Sequence, residues 1–209
     1  MDDDARQSAF LTALTTEHFV LQTAASSTIS EAAARSSLYV FALSSSVVAM
    51  GFTSQSPDVF TPFVAAVVPA VFLLGVFTVV RLVDTVLENS QYLAGIARIR
   101  GYYRTLTPEA ATYFAAETGR WPESAAAPAL GLGPTLAFLG TTASMIAFIN
   151  SVVAGAGVAL LVLALLGDDE VNIGLICGVI AVALLMLIFL IYERWRFSRL
   201  DVAARPMKD

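Results

Sequence analysis

The sequence predicts an all-α, polytopic integral membrane bundle with four transmembrane helices, an N-terminal amphipathic helix and a cytoplasmic helical extension. The first observation is composition: 57% of the 209 residues are hydrophobic and only 14% are charged, with a mean hydropathy of +0.73. A soluble domain is about 45–50% apolar and about 25% charged. The second observation is that the apolar residues form four runs near the length of about 20 residues that a membrane-crossing helix needs. The third is that the charges are sorted between the connections.

The four apolar runs lie at about 38–53, 60–83, 136–166 and 173–192. The first is short and has Ser44, Ser45 and Ser46 at its centre. The second ends near Arg81, whose long side chain can reach the interface. The third exceeds one perpendicular crossing, so we expect it to tilt or to begin outside the hydrocarbon. The fourth ends at the interfacial aromatic residues Tyr192 and Trp195.

The basic residues define the orientation of these runs. All 12 precede the first run, separate the second from the third, or follow the fourth. Four crossings place those three regions on one side, which the positive-inside rule makes cytoplasmic. We therefore expect a multi-pass protein of the cell inner (plasma) membrane with both termini in the cytoplasm. The start MDDDARQ lacks the basic region of a signal peptide, so the first run is expected to act as an uncleaved signal.

Five segments follow from these boundaries. They are a cytoplasmic N-terminal amphipathic helix (1–35), a first transmembrane hairpin (36–83), a cytoplasmic helical segment and loop (84–135), a second transmembrane hairpin (136–193) and a basic cytoplasmic tail (194–209). In the N-terminal helix, Phe10, Leu14, Leu21 and Ala25 form an apolar stripe at helical spacing.

The second run is predicted to continue as one helix well into the cytoplasm. A heptad-like seam leaves the membrane without a proline before Pro108, through Val79, Val83, Val86, Ser90, Leu93 and Ala97. A projecting apolar seam needs a partner, either the N-terminal helix or the same helix of neighbouring subunits. Thr107, Pro108 and Glu109 predict the start of a short helix ending near Thr118, followed by a loop.

The residues do not form a catalytic or metal-binding pattern. His18 is the single histidine, and Cys177, the single cysteine, lies in an apolar run, which excludes a disulfide scaffold. The sequence contains no nucleophile-elbow, P-loop or dinucleotide-binding motif. We therefore expect no enzyme activity and no cofactor, and the net charge of -5 argues against a nucleic-acid partner.

A few polar and small residues inside the runs suggest contacts. Asn150, with Ser151 and Ser144 nearby and Ser45 in the first run, should face another helix or water, because a bare amide in lipid is costly. These residues could form interhelical hydrogen bonds or line a pore. Small residues that permit close helix packing within or between subunits are Gly174, Gly178 and Gly155.

The two faces of the membrane differ in charge. The outer connections carry acids alone, namely Asp58, Asp168, Asp169 and Glu170. These are either ordinary solvated turns or, in a ring of identical subunits, a set that attracts cations to a pore mouth. The cytoplasmic segment carries a basic cluster of Arg98, Arg100 and Arg104.

The segment 81–114, with its core IARIRGYYRTLTPEA, resembles small bacterial integral membrane proteins of unassigned function. An N-terminal helix, a two-span hairpin and a long cytoplasmic helix are also similar to the SLATT-type hairpins, proposed pore-forming effectors of bacterial defence. The likeness covers about the first half of the chain, and the second hairpin departs from it. The resemblance transfers no functional residue.

The leading functional expectation is a homo-oligomeric four-span membrane protein with a channel-like or pore-like role that conducts cations. The alternative is a non-conducting membrane scaffold or interaction protein, including a SLATT-like effector. A transporter or lipid-handling enzyme is disfavoured, since no charge lies near the middle of a run. The expected partners are the lipid bilayer, further copies of the chain and a cytoplasmic protein.

Overall fold

The computed structural model of the chain describes residues 3–114, 141–167 and 170–203, with side chains as far as Phe197. Within these ranges the chain is helical and contains no strand. The helices are α1 (Asp3–Thr53), α2 (Pro57–Arg104), α3 (Ala110–Tyr113), α4 (Thr142–Leu166) and α5 (Val171–Ala203). The all-α prediction is confirmed, and α1, α2, α4 and α5 are each long and apolar enough to cross a membrane.

Helix α1 is one continuous helix of 51 residues that includes both the predicted N-terminal helix and the first apolar run. No glycine or proline interrupts residues 3–50, so no residue in this stretch breaks the backbone hydrogen-bond ladder. Several hydroxyl side chains along it donate hydrogen bonds to backbone carbonyls of the same helix. Thr12, for example, donates to the Ser8 carbonyl at 2.9 Å. The helix ends at Thr53, before the turn formed by residues 54–56.

Helix α2 confirms the prediction that the second apolar run continues as one helix, since it ends at Arg104. Pro57 occupies its first position, where the missing N–H removes no helical bond. Pro62 and Pro69 lie inside the helix, within the apolar run. Prolines are tolerated in membrane helices because local adjustments and neighbouring groups satisfy the carbonyls that they free.

The remaining helices are shorter or longer than the sequence predicted. Helix α3 spans four residues and ends at Tyr113, whereas Thr118 and the loop after it lie outside the described residues. Helix α4 begins at Thr142, where the Thr141 hydroxyl accepts a hydrogen bond from the Ser144 N–H at 3.2 Å. The helix ends at Leu166 and is followed by Gly167, whose φ of 101° lies in the left-handed region that favours glycine. Helix α5 continues beyond the predicted end of the fourth run.

The chain divides into two compact units, and α1 and α2 each contribute to both. Unit 1 comprises Met1–Ala32 and Asp84–Gly140, and unit 2 comprises Ala33–Val83 and Thr141–Asp209.

In unit 1, α1 and α2 pack as an antiparallel pair. Thr28 donates to the Asn89 amide oxygen at 3.3 Å, and the Thr15 and Tyr103 hydroxyls lie 3.4 Å apart. Between these two contacts along the helices, a Cβ on Gly95 would lie 2.9 Å from the Leu21 side chain. As residue numbers rise along α1, the numbers of the contacted α2 residues fall. The N-terminal part of α1 in the same chain therefore supplies a partner for the predicted seam.

The buried face of α2 in unit 1 is wider than the predicted seam. Ala97 of that seam is buried, whereas Val86, Ser90 and Leu93 are half-buried. Further buried residues, which the seam did not include, are Thr85, Leu87, Ile96 and Ile99.

Candidate functional site

A buried polar pair links α1 to α4 in unit 2. The Tyr39 hydroxyl donates a hydrogen bond to Asn150 Oδ1 at 3.1 Å. Tyr39 is 0% exposed and Asn150 is 5% exposed, so neither polar group can exchange its partner for solvent. Because a buried polar group without a partner is costly, this bond makes the amide tolerable inside an apolar bundle.

Gly75 brings α2 against the same amide. A Cβ built on Gly75 would overlap the Oδ1 and Cγ atoms of Asn150, so only glycine leaves the space that the amide occupies. Asn150 therefore stands between the aromatic side chain of Tyr39 and the bare backbone of α2. This three-helix contact is the most enclosed polar arrangement in the described part of unit 2 that does not involve a charged side chain.

The register between α2 and α4 extends from this contact. A Cβ on Gly157 would lie 2.8 Å from the side chain of Val68. Seven residues forward in α4, from Asn150 to Gly157, correspond to seven residues backward in α2, from Gly75 to Val68. The two helices are thus antiparallel, and glycines on both allow the close approach.

Helices α4 and α5 pack through the small residues that the sequence singled out. A Cβ on Gly155 would lie 2.7 Å from the Gly178 carbonyl oxygen, and a Cβ on Gly178 would lie 2.7 Å from the Gly155 carbonyl oxygen. A Cβ on Gly174 would meet the Ala159 carbonyl oxygen at 3.2 Å. The glycines of α5 therefore face Gly155 and Ala159 within one chain, where backbone meets backbone.

The hydroxyl residues of the membrane runs have different surroundings. Ser151 is buried and donates to the Ala147 carbonyl of its own helix at 2.8 Å. Ser46 donates to the Ala42 carbonyl at 2.8 Å. By contrast, the side chains of Ser44 and Ser45 are exposed, and within the described residues neither has a hydrogen-bond partner.

A second polar cluster lies where α4 begins. The Thr141 and Ser144 hydroxyl oxygens are 2.9 Å apart, and the side chain of Thr141 is also hydrogen-bonded to Glu193 of α5. Glu193 is 1% exposed. This cluster is separate from the Asn150 contact, since Ser144 precedes Asn150 by nearly two helical turns.

The structure describes two of the four acids predicted for the outer face. Asp58, in the first turn of α2, and Glu170, just before α5, are both exposed. Asp168 and Asp169 lie outside the described residues, so the predicted acidic set stays a prediction.

The basic cluster of unit 1 is only partly solvated. Arg98 is exposed, and the Arg100 guanidinium lies 5.8 Å from the centre of the Phe114 ring, a cation–π contact. Arg104 is half-buried and has interactions of its own.

His18 lies on α1 within the same unit as Arg100. Burial lowers the pKa of His18 below its usual 6.5, and the positive charge of Arg100 lowers it further. Its Nδ1 atom is buried without a hydrogen-bond partner among the described residues. In the described ranges no group of three or more His, Cys, Asp or Glu side chains is placed to hold a metal ion.

The sequence did not indicate a role for four residues of these clusters, namely Tyr39, Gly75, Thr141 and Glu193. Tyr39 and Gly75 lie among apolar neighbours, and nothing in their own segments predicts a polar contact. Glu193 follows Tyr192 directly, at the end of the fourth apolar run, where an acid can also face solvent. A signal did exist, because a lone acid at the end of an apolar run of helical length needs a partner if it faces inward.

Comparison with protein families, with curated proteins and with solved structures finds no match to this chain. The class of protein therefore rests on the fold alone. It is an all-helical chain with four helices that are consistent with a membrane-embedded protein.

Proposed function

We propose that this chain is a homo-oligomeric four-span protein of the plasma membrane with a channel-like or pore-like role, conducting cations, with both termini in the cytoplasm. The observation that carries the proposal is the exposed pair of hydroxyls on α1, Ser44 and Ser45. They lie in the middle of the first apolar run. Hydroxyls without partners are unfavourable against lipid, so a second copy or a water-filled path is their better surrounding.

The buried polar residues support a path between copies rather than through one chain. Asn150 is enclosed by Tyr39 and by the backbone at Gly75, and Ser151 is bonded to its own helix. Neither side chain is open to a channel inside the chain. Ser44 and Ser45 are the exposed hydroxyl residues that lie at the centre of an apolar run, whereas the exposed Thr61 and Thr142 lie near the beginnings of theirs.

Disulfide crosslinking tests self-association at this surface. Ser45→Cys is made in a Cys177→Ser background, so that the introduced thiol is the single one in the chain. Oxidation in membranes is expected to give a covalent dimer. The matched control is Leu187→Cys on α5, an exposed apolar position, which is expected to crosslink much less. Equal crosslinking at both sites, or none at Ser45→Cys, contradicts the proposal.

Conduction is tested separately with the acidic outer connections. The substitutions Asp168→Asn, Asp169→Asn and Glu170→Gln are combined and compared with wild type in bilayer recordings. Removing acids from a pore mouth lowers the local cation concentration, so cation conductance and selectivity are expected to fall, most strongly at low salt. Unchanged conductance and selectivity would contradict a mouth formed by these residues.

The second function is a non-conducting membrane scaffold, favoured by the enclosure of Asn150 within one chain. A polar contact that only fixes helix positions needs no path for ions. A purified oligomer that gives no current in bilayers while binding a cytoplasmic protein through unit 1 would favour this function over the pore.

A further inference from the structure

Glu193 combines deep burial with incomplete hydrogen bonding. It is 1% exposed, and its Oε2 atom is buried without a hydrogen-bond partner among the described residues. Its one resolved polar contact is with the Thr141 side chain at the beginning of α4. A carboxyl group in this position has almost no exposed surface, and the described residues do not give it a full set of donors.

The Thr141 side chain can supply one hydrogen bond to the carboxyl. Its oxygen accepts the Ser144 N–H at 3.2 Å and lies 2.9 Å from the Ser144 hydroxyl. The Thr141 hydroxyl has a single hydrogen, so donating it to Glu193 delivers one hydrogen bond to the carboxyl.

Charged neighbours do not replace the missing donors. On α5 itself, Arg194 is exposed, and Arg196, three residues beyond Glu193 and therefore on the same helix face, leaves Glu193 Oε2 without a hydrogen bond. On α2, the antiparallel register with α4 places Arg81 level with Ser144, and on α1 the nearest basic residue to Tyr39 is Arg35. Three of these four arginines have interactions of their own, namely Arg35, Arg81 and Arg196.

An ionised carboxylate with one hydroxyl donor would leave most of its charge uncompensated in an apolar surrounding, and such groups neutralise instead. We propose that Glu193 is a proton-binding site, whose carboxyl holds an exchangeable proton at neutral pH while Thr141 fixes its orientation between α4 and α5. The inference stands whether or not the chain conducts ions.

Infrared spectroscopy of the full-length protein in nanodiscs tests the site. At neutral pH the wild type is expected to show the carbonyl band of a protonated carboxylic acid, which shifts in D₂O and is lost on going to alkaline pH. Glu193→Gln should remove this band. Glu170→Gln, an exposed acid just before the same helix, should leave it unchanged. Circular dichroism checks that each variant keeps its helix content.

A second variant keeps the test decisive if Glu193→Gln does not fold. Thr141→Ala retains the acid but removes its donor, so the carbonyl band should persist and move to higher frequency. The absence of the band from wild type at neutral pH overturns the proposal. So does a band that disappears when sodium chloride replaces choline chloride, because that result would make Glu193 a cation site. Persistence of the band in Glu193→Gln assigns the proton elsewhere and also overturns it.

Discussion

Replacing Tyr39 by phenylalanine isolates the hydrogen bond between α1 and α4. The substitution keeps the ring in its fully buried site and removes the hydroxyl that donates to Asn150 Oδ1 at 3.1 Å. That distance is slightly longer than the usual range for O–H···O bonds. Interhelical hydrogen bonds in membrane proteins contribute about 0.6 kcal/mol on average and at most about 1.7 kcal/mol. Because Asn150 is left without its donor, we expect a loss of about 1 kcal/mol.

A double-mutant cycle separates the bond from the cavity that a truncated side chain leaves. The free energy of unfolding is measured in mixed micelles for wild type, Tyr39→Phe, Asn150→Ala and the double variant. The expected coupling is about 0.6 kcal/mol, in the direction that makes the second substitution less costly. Tyr113→Phe, whose hydroxyl lies at an exposed position, is the matched control and should cost nothing measurable. A coupling of zero would refute the view that this pair fixes α1 against α4.

Four further substitutions test packing and protonation. Gly178→Ala should lower the free energy of unfolding by about 1–3 kcal/mol, because its Cβ would meet the Gly155 carbonyl, and by more than Gly174→Ala, whose contacts are looser. Gly51→Ala, with open space around it, should cost nothing; a loss as large as that of Gly178→Ala would contradict this account. The lowered pKa of His18 means that the unfolded chain binds more protons, so stability should decline as pH falls below about 6.5. Thermal unfolding of His18→Gln at a series of pH values should show a smaller loss of stability at low pH than wild type. An unchanged pH profile would show that His18 is not the cause of the loss.

The sequence was sufficient to predict the helices, because hydropathy is a local property. The four apolar runs correspond to α1, α2, α4 and α5, and the seam without a proline before Pro108 predicted that α2 would continue past the second run. In α1, no glycine or proline separates the N-terminal helix from the first run, and the two form one helix.

The polar contacts were only partly predictable, because they depend on how helices are rotated against one another. Asn150 was expected to face another helix or water, and it meets Tyr39 and Gly75. Neither partner could be named from the sequence, since the register between α1, α2 and α4 is a tertiary property. The burial of Glu193 could not be predicted for a related reason. At the end of an apolar run, an acid that faces solvent and an acid that faces inward have the same sequence pattern.

The measurement that tests the central claim most directly is the mass of the purified protein in nanodiscs, followed by bilayer recording of the same particles. The pore proposal predicts a defined homo-oligomer that conducts cations, and Ser44→Ala with Ser45→Ala should change its conductance. Ser30→Ala, an exposed serine of unit 1 that is bonded to its own helix, should not. A monomeric particle that gives no current would contradict the proposal.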